Sequence, residues 1–166
     1  MKDKIRQILR EETEEKVLVI PGLQFFGDVG SPEEKLETWN TVLSYVGDRK
    51  FKINGDLNLA RTPIESLGNL QSVGGNLNLA DTPIKSLGNF QSVGGFLNLF
   101  RTPIKSLGNL QSVGGDLYLN GTPIKSLGNL QSVGGYLNLY GTPISKKYSE
   151  GEIRQMVNVK GNIYMQ

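Results

Sequence analysis

The sequence predicts an α/β solenoid, a stack of about six parallel β-coils with a helical cap at its N-terminal end. The main observation is a 20-residue unit, GNLNLADTPIKSLGNFQSVG at 75–94, that recurs without insertions. Its other copies, the last of them incomplete, begin at Gly55, Gly95, Gly115 and Gly135. Such a short unit cannot bury its own apolar side, so it must stack on its neighbours. A general parallel β-helix is the alternative fold.

Apolar residues within one unit follow two different spacings. Leu77 and Leu79 are two residues apart, which is the period of a strand. Later apolar residues recur every third position, at Ile84, Leu87, Phe90 and Val93. A spacing of three fits a 3₁₀ or polyproline-like path rather than a strand or an α-helix. We therefore expect each coil to contain one short strand, a turn and a tight back wall.

Two dipeptides mark the corners of each coil. Thr82-Pro83 follows the strand, where proline removes a backbone donor and ends the ladder. The threonine hydroxyls should satisfy backbone groups at this buried corner. A Gly-Gly pair precedes each strand, with Asn54 and Lys160 replacing its first member at the two ends. The second glycine is therefore predicted to be the one that lacks room for a Cβ.

The unit is similar to the leucine-rich repeat, whose core reads L-x-x-L-x-L-x-x-N-x-L. The residues that carry the resemblance are Leu77, Leu79, Thr82 and Ile84, continued by Leu87, Phe90 and Val93. Threonine stands where that family usually has asparagine, and the Leu-Pro pairs of its short bacterial subclass are absent. The resemblance covers 51–166 and implies that ligands bind on the exposed face of the parallel sheet.

The two ends of the chain carry helix signals. Ser31-Pro32-Glu33-Glu34 is typical of a helix start, and the helix should run to about Val46 with Gly47 as its C-cap. Trp39 should pack this cap against the first coil. We also expect a short buried strand at Val17–Ile20. These features place the cap region at 1–50 and the solenoid at 51–166.

The last coil differs in length from the others. Ser149 to Glu152 is a second capping box, followed by Ile153, Met156 and Val157 on one helical face. The segment 159–165 then aligns with 73–79, so this coil has 26 residues, with a helix on its back wall.

Composition limits the classes of function. The chain has 166 residues and a net charge of +2, too small to indicate nucleic acid or an anionic membrane. It contains no histidine and no cysteine, which removes the commonest general base, the commonest transition-metal ligand and thiol chemistry. We therefore expect a protein that is not an enzyme and needs no cofactor or metal.

The first residues bear on location. They contain basic residues without an apolar run, so we do not expect a Sec signal, although another export route stays open, and no stretch approaches a membrane span. A cytoplasmic location is expected. The segment KIRQILREE at 4–12 is similar to the starts of many proteins of tailed bacteriophages. A place in a viral particle is therefore the alternative.

The copies of the repeat differ mainly beside the strand leucines. Alternation along a strand places these side chains on the exposed face, where adjacent coils are ~4.8 Å apart. Exposed aromatic clusters mark interaction sites, and tyrosine and arginine are favoured there. The predicted partner-binding residues are Phe96, Phe100, Arg101, Tyr118, Tyr136 and Tyr140. The sequence thus predicts a non-enzymatic protein-binding module, while cross-strand packing of the rings is the purely structural interpretation.

Two other functions remain open from the sequence. A structural or self-assembling protein would use the last strand, Asn162 to Met165, as an open edge for a homodimer. A weak nucleic-acid binder would use the column Lys85, Lys105 and Lys125. Three lysines without interleaved arginine or aromatic residues are a poor footprint, so nucleic acid is the less favoured partner.

Overall fold

The computed structural model describes residues 17–21 and 30–166. The segment 4–12, with its similarity to the starts of bacteriophage proteins, lies outside them. The described chain is a parallel β-solenoid, as predicted. Its strands are β1 (Leu18–Ile20), β2 (Phe51–Ile53), β3 (Leu57–Asn58), β4 (Leu70–Val73), β5 (Leu77–Asn78), β6 (Ser92–Val93), β7 (Leu97–Asn98), β8 (Ser112–Val113), β9 (Leu117–Tyr118), β10 (Ser132–Val133), β11 (Leu137–Asn138), β12 (Asn158–Val159) and β13 (Ile163–Tyr164).

The strands form two sheets whose neighbours are all parallel. The seven-stranded sheet has the order β1-β2-β4-β6-β8-β10-β12, and the six-stranded sheet has the order β13-β11-β9-β7-β5-β3. Equivalent residues pair at steps of one repeat, for example Val93 with Val113 and Leu97 with Leu117. Four complete 20-residue turns lie between Gly55 and Gly134, and partial coils at both ends bring the number of strand pairs to six.

Each coil has two strands, so the expectation of one strand per coil was wrong. The missed strand is the Ser-Val dipeptide before the glycine corner, such as Ser92–Val93. Its backbone pairs only with the coils before and after it, 20 residues away in the chain. A two-residue strand is too short to show alternation. In the sequence, Val93 therefore fitted the three-residue spacing of the back wall, and the strand was not recognised.

The core runs along the axis of the stack. Leu77, Leu79, Ile84, Phe90 and their equivalents in the other coils are essentially fully buried. The predicted role of the threonines is confirmed in every coil. Thr102, for example, is buried and donates its hydroxyl to the carbonyl of Leu99 at 2.8 Å. The five equivalent bonds measure 2.6–2.8 Å, so this polar column inside an apolar core is satisfied.

At the glycine corner, the structure confirms that the second glycine lacks room for a Cβ, but it shows that the first glycine is crowded as well. A Cβ on Gly94, the first glycine of its pair, would overlap the carbonyl oxygen of Gly74 in the preceding coil. A Cβ on Gly95 would overlap only the movable side-chain oxygen of Asn76 and lie 3.1 Å from the carbonyl carbon of Gly75. Backbone atoms crowd the first glycine at Gly94, and backbone atoms of the preceding coil also crowd the second glycine at Gly75 and Gly161. Neither Gly94 nor Gly95 has a positive φ.

The predicted N-terminal helix is confirmed. Helix α1 (Pro32–Val46) begins with a complete Ser31–Glu34 capping box and ends at Gly47. Trp39 is fully buried, and its indole N–H donates to the carbonyl of Ser66 at 3.1 Å. This helix therefore packs on the first coil. The predicted strand is present as β1, where Leu18 and Ile20 are buried but Val19 is exposed, and it extends the seven-stranded sheet beside β2.

Two short helices, α2 (Pro143–Lys147) and α3 (Glu150–Met156), widen the back wall of the last coil. The Ser149 capping box of α3 is present as predicted. Ile153 and Val157 are buried, whereas Met156 is 46% exposed and does not share their packing. The reason is that the short helix turns only one narrow face toward the core.

Arg154 of α3 bonds to the terminal coil of the described sheets. Its guanidinium donates to the carbonyls of Val159 at 2.8 Å and Gly161 at 3.0 Å. In the preceding coil, the equivalent carbonyls of Val133 and Gly135 accept backbone N–H groups from the next coil. The arginine side chain therefore replaces two inter-coil hydrogen bonds at this edge.

Candidate functional site

Two positions of the repeat define the exposed face of the six-stranded sheet. The leading position, just before the first strand leucine, holds Asp56, Asn76, Phe96, Asp116, Tyr136 and Asn162. The middle position, between the two inward residues, holds Asn58, Asn78, Asn98, Tyr118, Asn138 and Tyr164. The residues at both positions point away from the core and are partly or fully exposed.

At the middle position, asparagine has a structural role. The side-chain oxygen of Asn78 accepts the backbone N–H of Ala80 at 3.2 Å, and Asn98 does the same for Phe100 at 3.0 Å. Such bonds hold the chain as it leaves the strand. Tyr118 replaces this asparagine in one coil, and its hydroxyl bonds to Asp116 instead.

Polar residues at the leading position have a second structural role, because they bond to the next coil. Asp56 accepts the N–H of Asn76 at 2.6 Å, Asn76 accepts that of Phe96 at 2.9 Å, and Asp116 accepts that of Tyr136 at 2.8 Å. Phe96 and Tyr136 have no acceptor of this kind. At both positions, aromatic residues therefore replace side chains that stabilise the backbone in other coils.

The rings meet in two diagonal pairs. Phe96 and Tyr118 lie edge to face with centroids 6.4 Å apart, and Tyr136 and Tyr164 do so at 5.8 Å. Each pair joins the leading position of one coil to the middle position of the next. We call these four residues the aromatic face. Tyr136 is 46% exposed and Tyr164 is 47% exposed, so packing between the rings leaves much of their surface in water.

Asp116 lies beside the rings. Its carboxylate accepts the hydroxyl of Tyr118 at 3.1 Å and the backbone N–H of Tyr136 at 2.8 Å. The pKa of Tyr118 is raised, first by partial burial, then by the hydrogen bond to Asp116 and its negative charge, and finally by Tyr136 and Tyr164. The phenol of Tyr118 is therefore held in its neutral, donating form.

Phe100, Arg101 and Tyr140 lie apart from the aromatic face. The guanidinium carbon of Arg101 is 4.6 Å from the centre of the Phe100 ring. Tyr140 is 63% exposed, and among the described residues no ring contact links it to the other rings. Of the six predicted residues, Phe96, Tyr118 and Tyr136 belong to the aromatic face, whereas Phe100, Arg101 and Tyr140 lie in the turns that follow the strands.

Tyr164 is the member of the aromatic face that the sequence prediction omitted. It pairs with Asn138 in β11, which in turn pairs with Tyr118 in β9. The signal was present, since aligning 159–165 with 73–79 places Tyr164 at the middle position. The 26-residue length of the last coil hid it from a comparison at steps of 20.

Two cavities of the described chain lie away from the aromatic face. One cavity of about 290 Å³ is on the back wall, between the turn at 115–134 and the two short helices, where Leu127, Ile144, Tyr148 and Met156 contribute to its lining. Another, of about 350 Å³, lies against α1. Within residues 17–21 and 30–166, no group of three or more acidic side chains is placed to hold a metal ion. The aromatic face is therefore a surface suited to a macromolecule rather than a pocket.

Comparison with known proteins found no matching family model, no matching curated protein and no matching solved structure. None of the helices in the described part of the chain has the length and apolar character needed to cross a membrane.

Proposed function

We propose that the protein is a non-enzymatic binding module that holds a protein partner on the exposed face of its six-stranded sheet. The observation that carries the proposal is the replacement of backbone-bonding asparagine and aspartate by aromatic residues at adjacent points on this face. In other coils of the same chain, Asp56 and Asn78 hold these positions and accept backbone N–H groups.

The energetic argument has two parts. Each lost side-chain to backbone hydrogen bond costs about 1 kcal/mol, and each exposed ring leaves apolar area in water. Ring-ring contact returns only about 0.5–1.5 kcal/mol per pair. The rings of the aromatic face therefore contribute most free energy when a partner covers them. Tyrosine is among the residue types favoured in such interfaces.

The repeat pattern supports the same surface. The leucine-rich-repeat resemblance of 51–166 implies ligand binding on the face that carries the leading and middle positions. We propose a relationship to that family on this basis. The similarity of 4–12 to bacteriophage proteins makes other components of a viral particle the first partners to test.

Self-assembly through the terminal edge is the less favoured function. Arg154 already bonds to the carbonyls of Val159 and Gly161, where an added strand would need acceptors. If a homodimer nevertheless forms there, Arg154→Ala should strengthen it. Sedimentation at several concentrations would measure this, and an unchanged monomer would leave the sheet face as the preferred site.

A site-specific crosslink tests the proposed function. A photoreactive phenylalanine analogue at Tyr140, which is exposed and follows Tyr136 by four residues, should give a discrete adduct with one protein from the native host. The same analogue at Lys105, exposed on the back wall, serves as the matched control. The captured protein, once purified, must also bind the unmodified chain. Equal crosslinking from both positions, or no binding by the purified protein, would contradict the proposal.

A further inference from the structure

Asp116 occupies a distinctive place between the two ring pairs. Strand register puts Phe96–Tyr118 on one side and Tyr136–Tyr164 on the other, with Asp116 and Asn138 on the diagonal between them. Strands of a parallel sheet are ~4.8 Å apart, so equivalent points on the two ring pairs, two coils apart, are separated by roughly 10 Å. We call this strip of surface the Asp116 slot, with aromatic sides and a polar floor.

The charge of this floor is not balanced within the described chain. Asp116 accepts two hydrogen bonds, from Tyr118 and Tyr136, but among residues 17–21 and 30–166 no lysine or arginine forms an ion pair with it. Arg101 lies over the Phe100 ring instead. Covering the slot with an apolar or anionic group would therefore leave the carboxylate unpaired in a desolvated site, which is costly.

We propose that the Asp116 slot receives a lysine or arginine side chain of the protein partner. A cation would lie near the ring faces and the carboxylate at once, and both interactions strengthen as water is removed. The aliphatic stem of either side chain would pack on the rings. This inference rests on the proposed function and specifies the chemistry that the partner presents at the centre of the contact.

The chain itself supplies an isosteric variant and a matched control. Asp116→Asn removes the charge and keeps the acceptor, since Asn76 makes the same inter-coil bond to the N–H of Phe96 at 2.9 Å. Asp56→Asn changes the same position of the repeat where both neighbours, Asn58 and Asn76, are amides. The two variants therefore remove one negative charge each, with and without aromatic surroundings.

The probes are three capped tripeptides, Gly-Lys-Gly, Gly-norleucine-Gly and Gly-Glu-Gly, titrated into the intact protein. Ring resonances of Tyr118, Tyr136 and Tyr164 report binding by nuclear magnetic resonance. We expect the lysine peptide alone to shift them, with affinity about tenfold weaker in Asp116→Asn, unchanged in Asp56→Asn and reduced by added salt.

Three outcomes would overturn the inference: no shift with the lysine peptide, equal shifts with norleucine, or equal affinity for Asp116→Asn. Its failure is separable from failure of the proposed function. If the purified partner depends on Tyr136 and Tyr164 but not on the charge of Asp116, the sheet face binds a partner by apolar contact and only the cation assignment is wrong.

Discussion

The turn position that follows each strand of the six-stranded sheet is strained in some coils, and substitutions there measure how much this strain costs the fold. Arg61, Asp81 and Arg101 follow the strand at φ values of 60°, 56° and 55°, in the left-handed region. The last two coils use Gly121 and Gly141 at the same position, with φ of 73° and 71°. Side chains other than glycine rarely adopt this conformation without a cost.

The magnitude follows from two opposing terms. A left-handed conformation costs an L-residue roughly 1–2 kcal/mol, while glycine loses an extra ~0.5–1 kcal/mol of backbone entropy on folding. Arg61→Gly should therefore stabilise the fold by about 0.5–1 kcal/mol. Arg101→Gly relieves the same strain but loses the contact with Phe100, worth about 0.5–1 kcal/mol at an exposed site, so its net effect should be close to zero.

Urea unfolding of the two variants, alone and in a Phe100→Ala background, measures these terms. Without the Phe100 ring, Arg101→Gly should recover the full gain seen for Arg61→Gly. If both single variants destabilise the protein by more than 1 kcal/mol, the strain argument is refuted. If the Phe100 background changes nothing, the guanidinium contact contributes no stability.

Three further predictions concern the corners and the aromatic face. Gly94→Ala should destabilise the fold by about 1–3 kcal/mol because its Cβ meets backbone. Gly74→Ala, whose Cβ would have its nearest contact at 3.4 Å, should change the unfolding free energy by less than ~1 kcal/mol. Urea titrations measure both, and similar losses would contradict the assigned crowding at Gly94. Thr102→Val should cost about 1 kcal/mol by removing a buried hydroxyl bond, and Thr102→Ser should keep that bond; a neutral valine variant would show that the column is not needed. The raised pKa of Tyr118 means that the phenol stabilises the fold fully below the ordinary tyrosine pKa of 10.0, and that this contribution declines as pH rises through the folded-state pKa. Tyrosinate absorbance should show one late-titrating tyrosine, whose titration moves to lower pH in Asp116→Asn. An unchanged titration in that variant would be inconsistent with the assigned role of Asp116.

Much of the fold could be predicted because its signals are local and repeated. Ser31 and Ser149 begin helices through side-chain contacts within four residues, and Thr102 bonds three residues back. The two-residue spacing of Leu77 and Leu79 is enough to identify which residues of that strand face the core. Each of these signals needs only a short stretch of chain to be recognised.

The missed features depend on the neighbouring coil. The strand at Ser92–Val93 exists only through pairing with residues 20 positions away. The crowding at Gly94 comes from the carbonyl of Gly74, which no property of the Gly-Gly dipeptide reveals. The substitutions of Asn54 and Lys160 were misleading because each lies in an end coil, outside the regular glycine stack.

For the candidate site, the sequence predicted the surface but not its internal grouping. Alternation placed the variable residues outward, yet only diagonal packing separates the Phe96–Tyr118 pair from Phe100 and Tyr140. The role of Asp116 depends on two hydrogen bonds that join adjacent coils. Such contacts depend on both the register of the strands and the direction of the side chains, so the sequence alone did not predict them.

The most direct test of the central claim is the affinity of the purified partner for three forms of the protein. These are the unmodified chain, Tyr136→Ala with Tyr164→Ala on the aromatic face, and Lys105→Ala with Lys125→Ala on the back wall. Circular dichroism checks that each is folded. Interface tyrosines at the centre of a contact contribute about 2 kcal/mol or more each, so the face variant, which loses two, should bind roughly 1,000-fold more weakly. The back-wall variant should bind like the unmodified chain. Unchanged affinity of a folded face variant, or an equal loss in the back-wall variant, would contradict the claim that this face is the binding site.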